Sequence, residues 1–114
     1  MMKMIYFAYP YSSGPDLRSR EIQDLIHKLV EIRKDIVPLV PHYMFDALYD
    51  FPTGYGCTFM LGWELEILTR VDYICIVPSP ERVVSGGIYW EKEFCRWYGT
   101  PEIDWEYLLD GGDI

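Results

Sequence analysis

Three nearly unbroken apolar runs divide the chain: Met4 to Ala8, Ile36 to Val40 and Val71 to Val77. Runs of this length without polar alternation predict strands buried on both faces, as in a parallel sheet. Pro10 ends the first run. Pro38 falls inside the second and shifts it towards a sheet edge, because proline has no N–H to give to a ladder.

Between the runs the period changes. Ile22, Leu25, Ile26, Leu29 and Val30 recur at i, i+3, i+4, i+7 and i+8, one face of an amphipathic helix. That helix follows the turn Tyr11-Ser12-Ser13-Gly14, starts at Pro15, which suits a first helical position, and ends near Lys34-Asp35. A second helix is predicted from about Thr58 to Arg70, with Leu61, Leu65 and Leu68 on one side and Glu64 and Glu66 among the rest. A third runs from Trp90 to Tyr98 and stops at Gly99-Thr100-Pro101, where glycine suits the C′ position and proline blocks continuation. Glu102 to Trp105 reads as a short fourth strand. Pro41 to Gly56 is a long connection rich in Tyr, Asp and Gly with no clear period, the kind of segment that usually serves function or motion.

Strand, helix and strand in this alternation imply parallel strands joined by helical crossovers. The expected fold is a small flavodoxin/Rossmann-like three-layer α/β sandwich with a mostly parallel sheet of four to five strands. Neither an internal repeat nor a linker interrupts it, so residues 1–114 read as one domain. In such sheets ligands bind beyond the C-terminal ends of the strands. The turn from Tyr9 to Asp16, the Pro41-His42 corner and the turn at Ser85-Gly86-Gly87 all fall on that edge and define one cleft.

Composition narrows the chemistry. A formal net charge of −8 and the lack of a Lys/Arg stripe exclude a nucleic-acid polymer as bulk partner. A single phosphate held by backbone amides and one arginine stays compatible with it. The three cysteines, Cys57, Cys75 and Cys95, have no metal-ligand spacing, so buried reduced thiols are expected, and neither a metal nor an organic cofactor is implied. Nothing reads as a signal peptide or a membrane span, which points to a cytoplasmic protein without a membrane partner. Aromatic residues make up 17% of the chain, too many for so small a core, so some are expected to line a pocket or a subunit contact.

The Ser85-Gly86-Gly87-Ile88-Tyr89-Trp90-Glu91 stretch carries the chemistry. A serine and two glycines between a strand and a helix offer a hydroxyl and backbone N–H groups to an anion or a sugar. Glu91 then falls near the start of the next helix, facing whatever the turn holds. The competing reading is an ordinary first-turn glutamate favoured by the helix dipole. Arg18 and Arg20 flank the start of the first helix and can reach a phosphate there, or stand in solvent. His42 suits a base, a phosphate or a loop-capping hydrogen bond equally.

Several motifs together resemble the nucleoside 2-deoxyribosyltransferase-like superfamily, which includes 2′-deoxynucleoside 5′-monophosphate N-hydrolases and small phage and bacterial proteins of unassigned function. They are Ile5-Tyr6-Phe7-Ala8-Tyr9-Pro10-Tyr11-Ser12, Val40-Pro41-His42, the segment from Leu61 to Asp72, and Ser85-x-Gly87-x-x-x-Glu91 followed by Gly99-Thr100-Pro101. The resemblance spans about Met4 to Pro101. It implies that Glu91 is the nucleophile that attacks the anomeric carbon and expels a nucleobase, with Tyr6 near that carboxylate. It places Glu64 where the family has an aspartate that helps protonate the leaving base; Glu66 competes for that part, and a solvated helix face is the plain alternative. It puts Tyr9, Pro10, Ser12, His42, Ser85 and Gly87 around the substrate; Arg18 joins them as a candidate from its place at the start of the first helix alone. The family's transferases carry an aspartate where Ser85 stands and its monophosphate hydrolases a serine, so Ser85 favours a 5′-phosphorylated ligand and hydrolysis.

The function implied is cleavage of the N-glycosidic bond of a (deoxy)nucleoside or its 5′-monophosphate, with water as acceptor ahead of a second base. Two other readings stay open: a catalytically silent nucleotide-binding or sensing module, and a structural oligomer whose aromatics only make interfaces. Family members assemble so that a neighbour completes the site, and a homo-oligomer, dimer or larger, is expected here.

Overall fold

The computed structural model describes residues 1–9, 15–41, 55–78 and 86–114; the side chains of 15–19, 55–61 and 86–87 lie outside that description. Three strands, β1 (Lys3–Ala8), β2 (Ile36–Leu39) and β3 (Tyr73–Ile76), alternate with helices α1 (Pro15–Ile32), α2 (Tyr55–Leu68), α3 (Gly86–Tyr98) and α4 (Trp105–Leu109). The strands form one parallel sheet in the order β2-β1-β3. Tyr6 pairs with Leu39 on one side and Ile74 on the other, which centres it in the sheet.

Side-chain alternation along β1 sorts the core into two halves. Ile5, Phe7 and Tyr9 point to one face and join Ile22, Ile26 and Leu29 of α1 with Trp105 and Leu108 of α4. Tyr6 and Ala8 point to the other face and join Leu68 of α2 with Ile88 and Cys95 of α3. The helices therefore lie on both faces of the sheet, as the alternation of strands and helices predicts. Among the described residues no helix is long and apolar enough to cross a membrane.

The sheet is smaller than expected. In place of a fourth strand, Glu102 makes an isolated parallel bridge to Ile74. Ile74 N–H donates to Pro101 O (3.0 Å) and Ile103 N–H donates to Ile74 O (2.9 Å), and the pairing stops there. The reason is local. Asp104 accepts from Tyr107 N–H at 3.2 Å and so caps a helix that begins at Trp105, turning the chain away from β3. Among the described residues the sheet has three strands, not four or five.

Pro38 lies in β2, at the end of the strand order, where a missing N–H is tolerated. α3 starts at Gly86, four residues before the predicted Trp90, so Gly86 and Gly87 form its first turn instead of the preceding one. α2 likewise starts earlier than predicted, at Tyr55, and ends at Leu68. Gly99, at φ +106°, follows the last residue of α3 and donates its N–H to Cys95 O at 2.8 Å, the left-handed helix stop expected there.

The short helix α4 is tied down by Arg33, whose side chain is almost fully buried. Its guanidinium donates from Nε and Nη2 to both oxygens of Asp35 (3.1 and 2.9 Å) and from Nη1 to Leu108 O (3.2 Å). That fork joins the end of α1 to the C-terminal helix. The Arg33 guanidinium holds the Asp35 carboxyl below the usual carboxylate range.

Candidate active site

Two glutamates are buried in a chain whose other described acidic side chains reach solvent: Glu64 at 8% exposure and Glu91 at 5%. They come from different helices. Glu64 lies one turn before the end of α2 and Glu91 in the second turn of α3. Because α3 begins at Gly86, Glu91 is no first-turn residue, and the helix dipole does not account for its position. Ile88, Glu91 and Cys95 line the same buried stripe of α3, at i, i+3 and i+7. Packing of α2 against α3 on the Tyr6 face of the sheet then brings the two carboxyls together.

Tyr6 completes the cluster from β1. Its ring is fully buried, and its hydroxyl lies close enough to both carboxyls to stabilise their charged forms. Glu64 and Glu91 also interact through their side chains. The contacts are loose: Glu91 Oε2 is shielded from solvent and has no partner in hydrogen-bonding geometry among the described residues. A buried carboxylate oxygen without a donor is costly, and the cost falls when the carboxyl keeps its proton.

The electrostatics follow from this placement. Burial pushes the Glu91 carboxyl well above the usual range, and the negative charge and hydrogen-bonding contact of Glu64 add to the effect; Tyr6 opposes it. Burial raises Glu64 too, against the pull of hydrogen bonds with Glu91 and Tyr6. Two carboxyls this close cannot both ionise cheaply, so the pair keeps one proton under conditions where free glutamate has none. One member can then act as an acid while the other acts as a base or nucleophile. Cys95, one turn beyond Glu91, is also buried; burial and then the charge of Glu91 push its thiol up to about 11, and it stays protonated. Burial pushes the Cys75 thiol up to about 12.

The other predicted site residues distribute unevenly. Tyr9 turns to the opposite face of the sheet, where its hydroxyl donates to Glu21 Oε2 at 2.6 Å. Gly87 lies in the first turn of α3, on the element that carries Glu91. Arg18 belongs to α1, with its side chain outside the described part, and Arg20 is exposed. Pro10, Ser12, His42 and Ser85 lie outside the described residues. Glu66, the rival of Glu64, is exposed and pairs with Arg70 at 3.2 Å.

Thr100 is the residue that sequence reasoning missed. It is buried, and its hydroxyl donates to Leu68 O at 2.7 Å, tying the end of α3 to the end of α2. A hydroxyl residue between a helix-stopping glycine and a proline was the signal available. Among the described residues no group of three or more His, Cys, Asp and Glu is placed to hold a metal ion.

No family model and no curated protein matches the chain. The fold is similar to the crystal structure of a conserved protein from Enterococcus faecalis V583, with a TM-score of 0.71 at 19% identity. The match covers 91% of this chain and 63% of that protein, so the chain spans a little under two thirds of that protein's length. At that identity the likeness shows a shared α/β fold.

Proposed function

We propose that this domain hydrolyses the N-glycosidic bond of a (deoxy)nucleoside or nucleoside 5′-monophosphate. The single observation that carries the reading is the buried pair of Glu64 and Glu91 beside Tyr6, drawn from three elements that are far apart in sequence. A glycosidic bond breaks through an oxocarbenium-like state, which a carboxylate on one sugar face captures while an acid protonates the leaving group. In this reading the shared proton, held on Glu91 in the free protein, passes to Glu64 when substrate enters; Glu91, now a carboxylate, attacks the anomeric carbon, and the C–N bonding pair leaves with the base. The proton of the pair passes from Glu64 to the departing base nitrogen. Water then attacks the same carbon, the bond from that carbon to Glu91 breaks with its electron pair returning to the carboxylate, Glu64 takes the water's proton, and the sugar leaves with a hydroxyl, which restores the pair. The Tyr6 hydroxyl steadies whichever carboxyl is charged. Gly87 and Ser85 are assigned to the sugar-phosphate, and the serine in place of an aspartate favours the phosphorylated substrate.

The test is direct. Purified protein is incubated with a panel of nucleosides and 5′-monophosphates, and free base is followed by chromatography. Base release that vanishes in Glu91→Gln and persists in the surface variant Glu66→Gln supports the reading. Nucleotide binding without turnover moves the protein to the second reading, a silent nucleotide-binding or sensing module. That reading is favoured by Glu64, one methylene longer than the aspartate the resemblance would supply.

A homo-oligomer is part of the proposal. α3 presents a continuous aromatic stripe, with Trp90 58% and Trp97 81% exposed and Phe94 stacked on Tyr98 at 5.6 Å. Exposed rings next to a candidate site suit a subunit contact. Sedimentation of the wild type against Trp97→Glu measures it.

A further inference from the structure

The two carboxylates occupy equivalent places on their helices. Four residues after Glu91, Cys95 O accepts the Gly99 N–H at 2.8 Å. Four residues after Glu64, Leu68 O accepts the Thr100 hydroxyl at 2.7 Å. Two consecutive residues thus grip both helices, one turn beyond the carboxyl each helix carries. The grip is specific in form. Gly99 closes the last turn of α3 with an i→i−4 bond, and its left-handed backbone, at φ +106°, then turns the chain out of the helix towards α2. Thr100 is buried, and its hydroxyl is spent on a backbone carbonyl of the neighbouring helix. The next residues anchor the grip to the sheet through the Pro101 and Ile103 hydrogen bonds with Ile74, which pairs directly with Tyr6.

We propose that Gly99 and Thr100 form a two-armed clamp that fixes the spacing of Glu64 and Glu91, with Thr100 as a positioning residue for the pair. Its catalytic consequence rests on the reading of the pair as the reacting centre; the clamp itself does not. The energy of two like charges depends steeply on their separation in a poorly solvated place. Small slippage of α2 along α3 therefore changes how tightly the pair holds its shared proton. The ionisable groups that face Glu91 among the described residues are Glu64 from α2, Tyr6 from β1 and Cys95 from its own helix. None of these is changed by substitution at position 100, so a change in the pair's titration reports geometry.

The experiment is a carboxyl titration by 13C NMR on glutamate-labelled protein without substrate. Thr100→Val keeps the shape and removes the hydroxyl; the upper titration of the pair should fall by about one unit towards ordinary glutamate. Thr100→Ser keeps the hydroxyl and should titrate like the wild type. Arg33→Met, on the other side of the sheet, should lower Tm and leave the titration unmoved. Should Thr100→Val fail to fold, Gly99→Ala strains the other arm and is read in the same way. The proposal is overturned by an unmoved titration in folded Thr100→Val, by a displaced titration in Thr100→Ser, or by an equal displacement in Arg33→Met. Because no turnover is measured, a protein that releases no base still decides the matter. In a protein that does release base, Thr100→Val should also displace the pH profile of kcat.

Discussion

The two faces of the sheet differ in what they bury. The α1–α4 face takes Ile5, Phe7, Ile22, Leu29, Trp105 and Leu108, and Phe7 meets Trp105 edge-on with ring centroids 6.0 Å apart. The buried charged group described on that side, Arg33, has its fork satisfied by Asp35 and Leu108. The α2–α3 face has a smaller apolar cluster and carries Glu64, Glu91, Tyr6 and Thr100. The apolar face stabilises the domain, and the polar face holds groups that cost stability. On the proposed function, that division is the pattern expected of a fold with one side given over to chemistry.

The contrast is broken or sharpened most strongly at Glu91. Glu91→Gln should lower base release by about ten-thousandfold if the residue is the nucleophile. The same change should raise Tm at pH 8, measured by calorimetry, because it removes the cost of ionising a buried group. The sign follows from linkage. A carboxyl raised above its ordinary value of 4.5 keeps a proton in the folded state that the unfolded chain has lost. Its stability contribution is full below that value and declines as pH climbs through the folded titration. Asp35 runs the other way: its stabilising effect is present above the ordinary aspartate range and is lost as pH falls through its lowered value. Wild-type Tm should therefore decline on the alkaline side by an amount that Glu91→Gln reduces, leaving the part that Glu64 contributes.

Next in size is Trp105→Ala. Emptying that buried site should cost about 3–5 kcal/mol in urea unfolding and leave the carboxyl titration in place. A shifted titration in the folded variant would show that the faces are not independent. Glu64→Gln should slow base release by about a hundredfold, the range of a lost general acid, and bring Glu91 back towards the ordinary carboxylate range by removing its charged neighbour. The smallest effect belongs to Arg33→Met, about 1–2 kcal/mol, from a Leu108 carbonyl that loses its side-chain donor and keeps the Gly111 N–H, and an Asp35 that water can serve instead. Its turnover should equal that of the wild type.

Much of this division could be read from residue order. The continuous run of β1, the spacing from Ile22 to Val30 and the stop at Gly99 are local signals, and each element lies close to its predicted place. Glu91 also stood out, because a serine- and glycine-rich stretch precedes it. What was illegible depended on contact between distant segments. The burial of Glu64 follows from the packing of α2 on α3, and its own helix gives no sign of it beyond a carboxylate among leucines. Thr100 looked like punctuation until Leu68 was placed beside it. Glu102 to Trp105 has strand-like residues that compete with the Asp104 cap, and in the fold the cap wins. Tyr9 and Tyr6 are three residues apart, an odd spacing that sends them to opposite faces of the sheet.

Pro38 has a consequence for the life of the chain before it is fully folded. An open rim of β-structure invites stray strands from other copies, and growth along such a rim is a route to aggregates. At β2 an incoming strand meets a proline, and the row of donors it needs has a gap. At β3 the stretch from Pro101 to Ile103 already takes both hydrogen bonds of Ile74. Both rims are thus poor templates for further strands, and copies that do associate are left to meet through their helices.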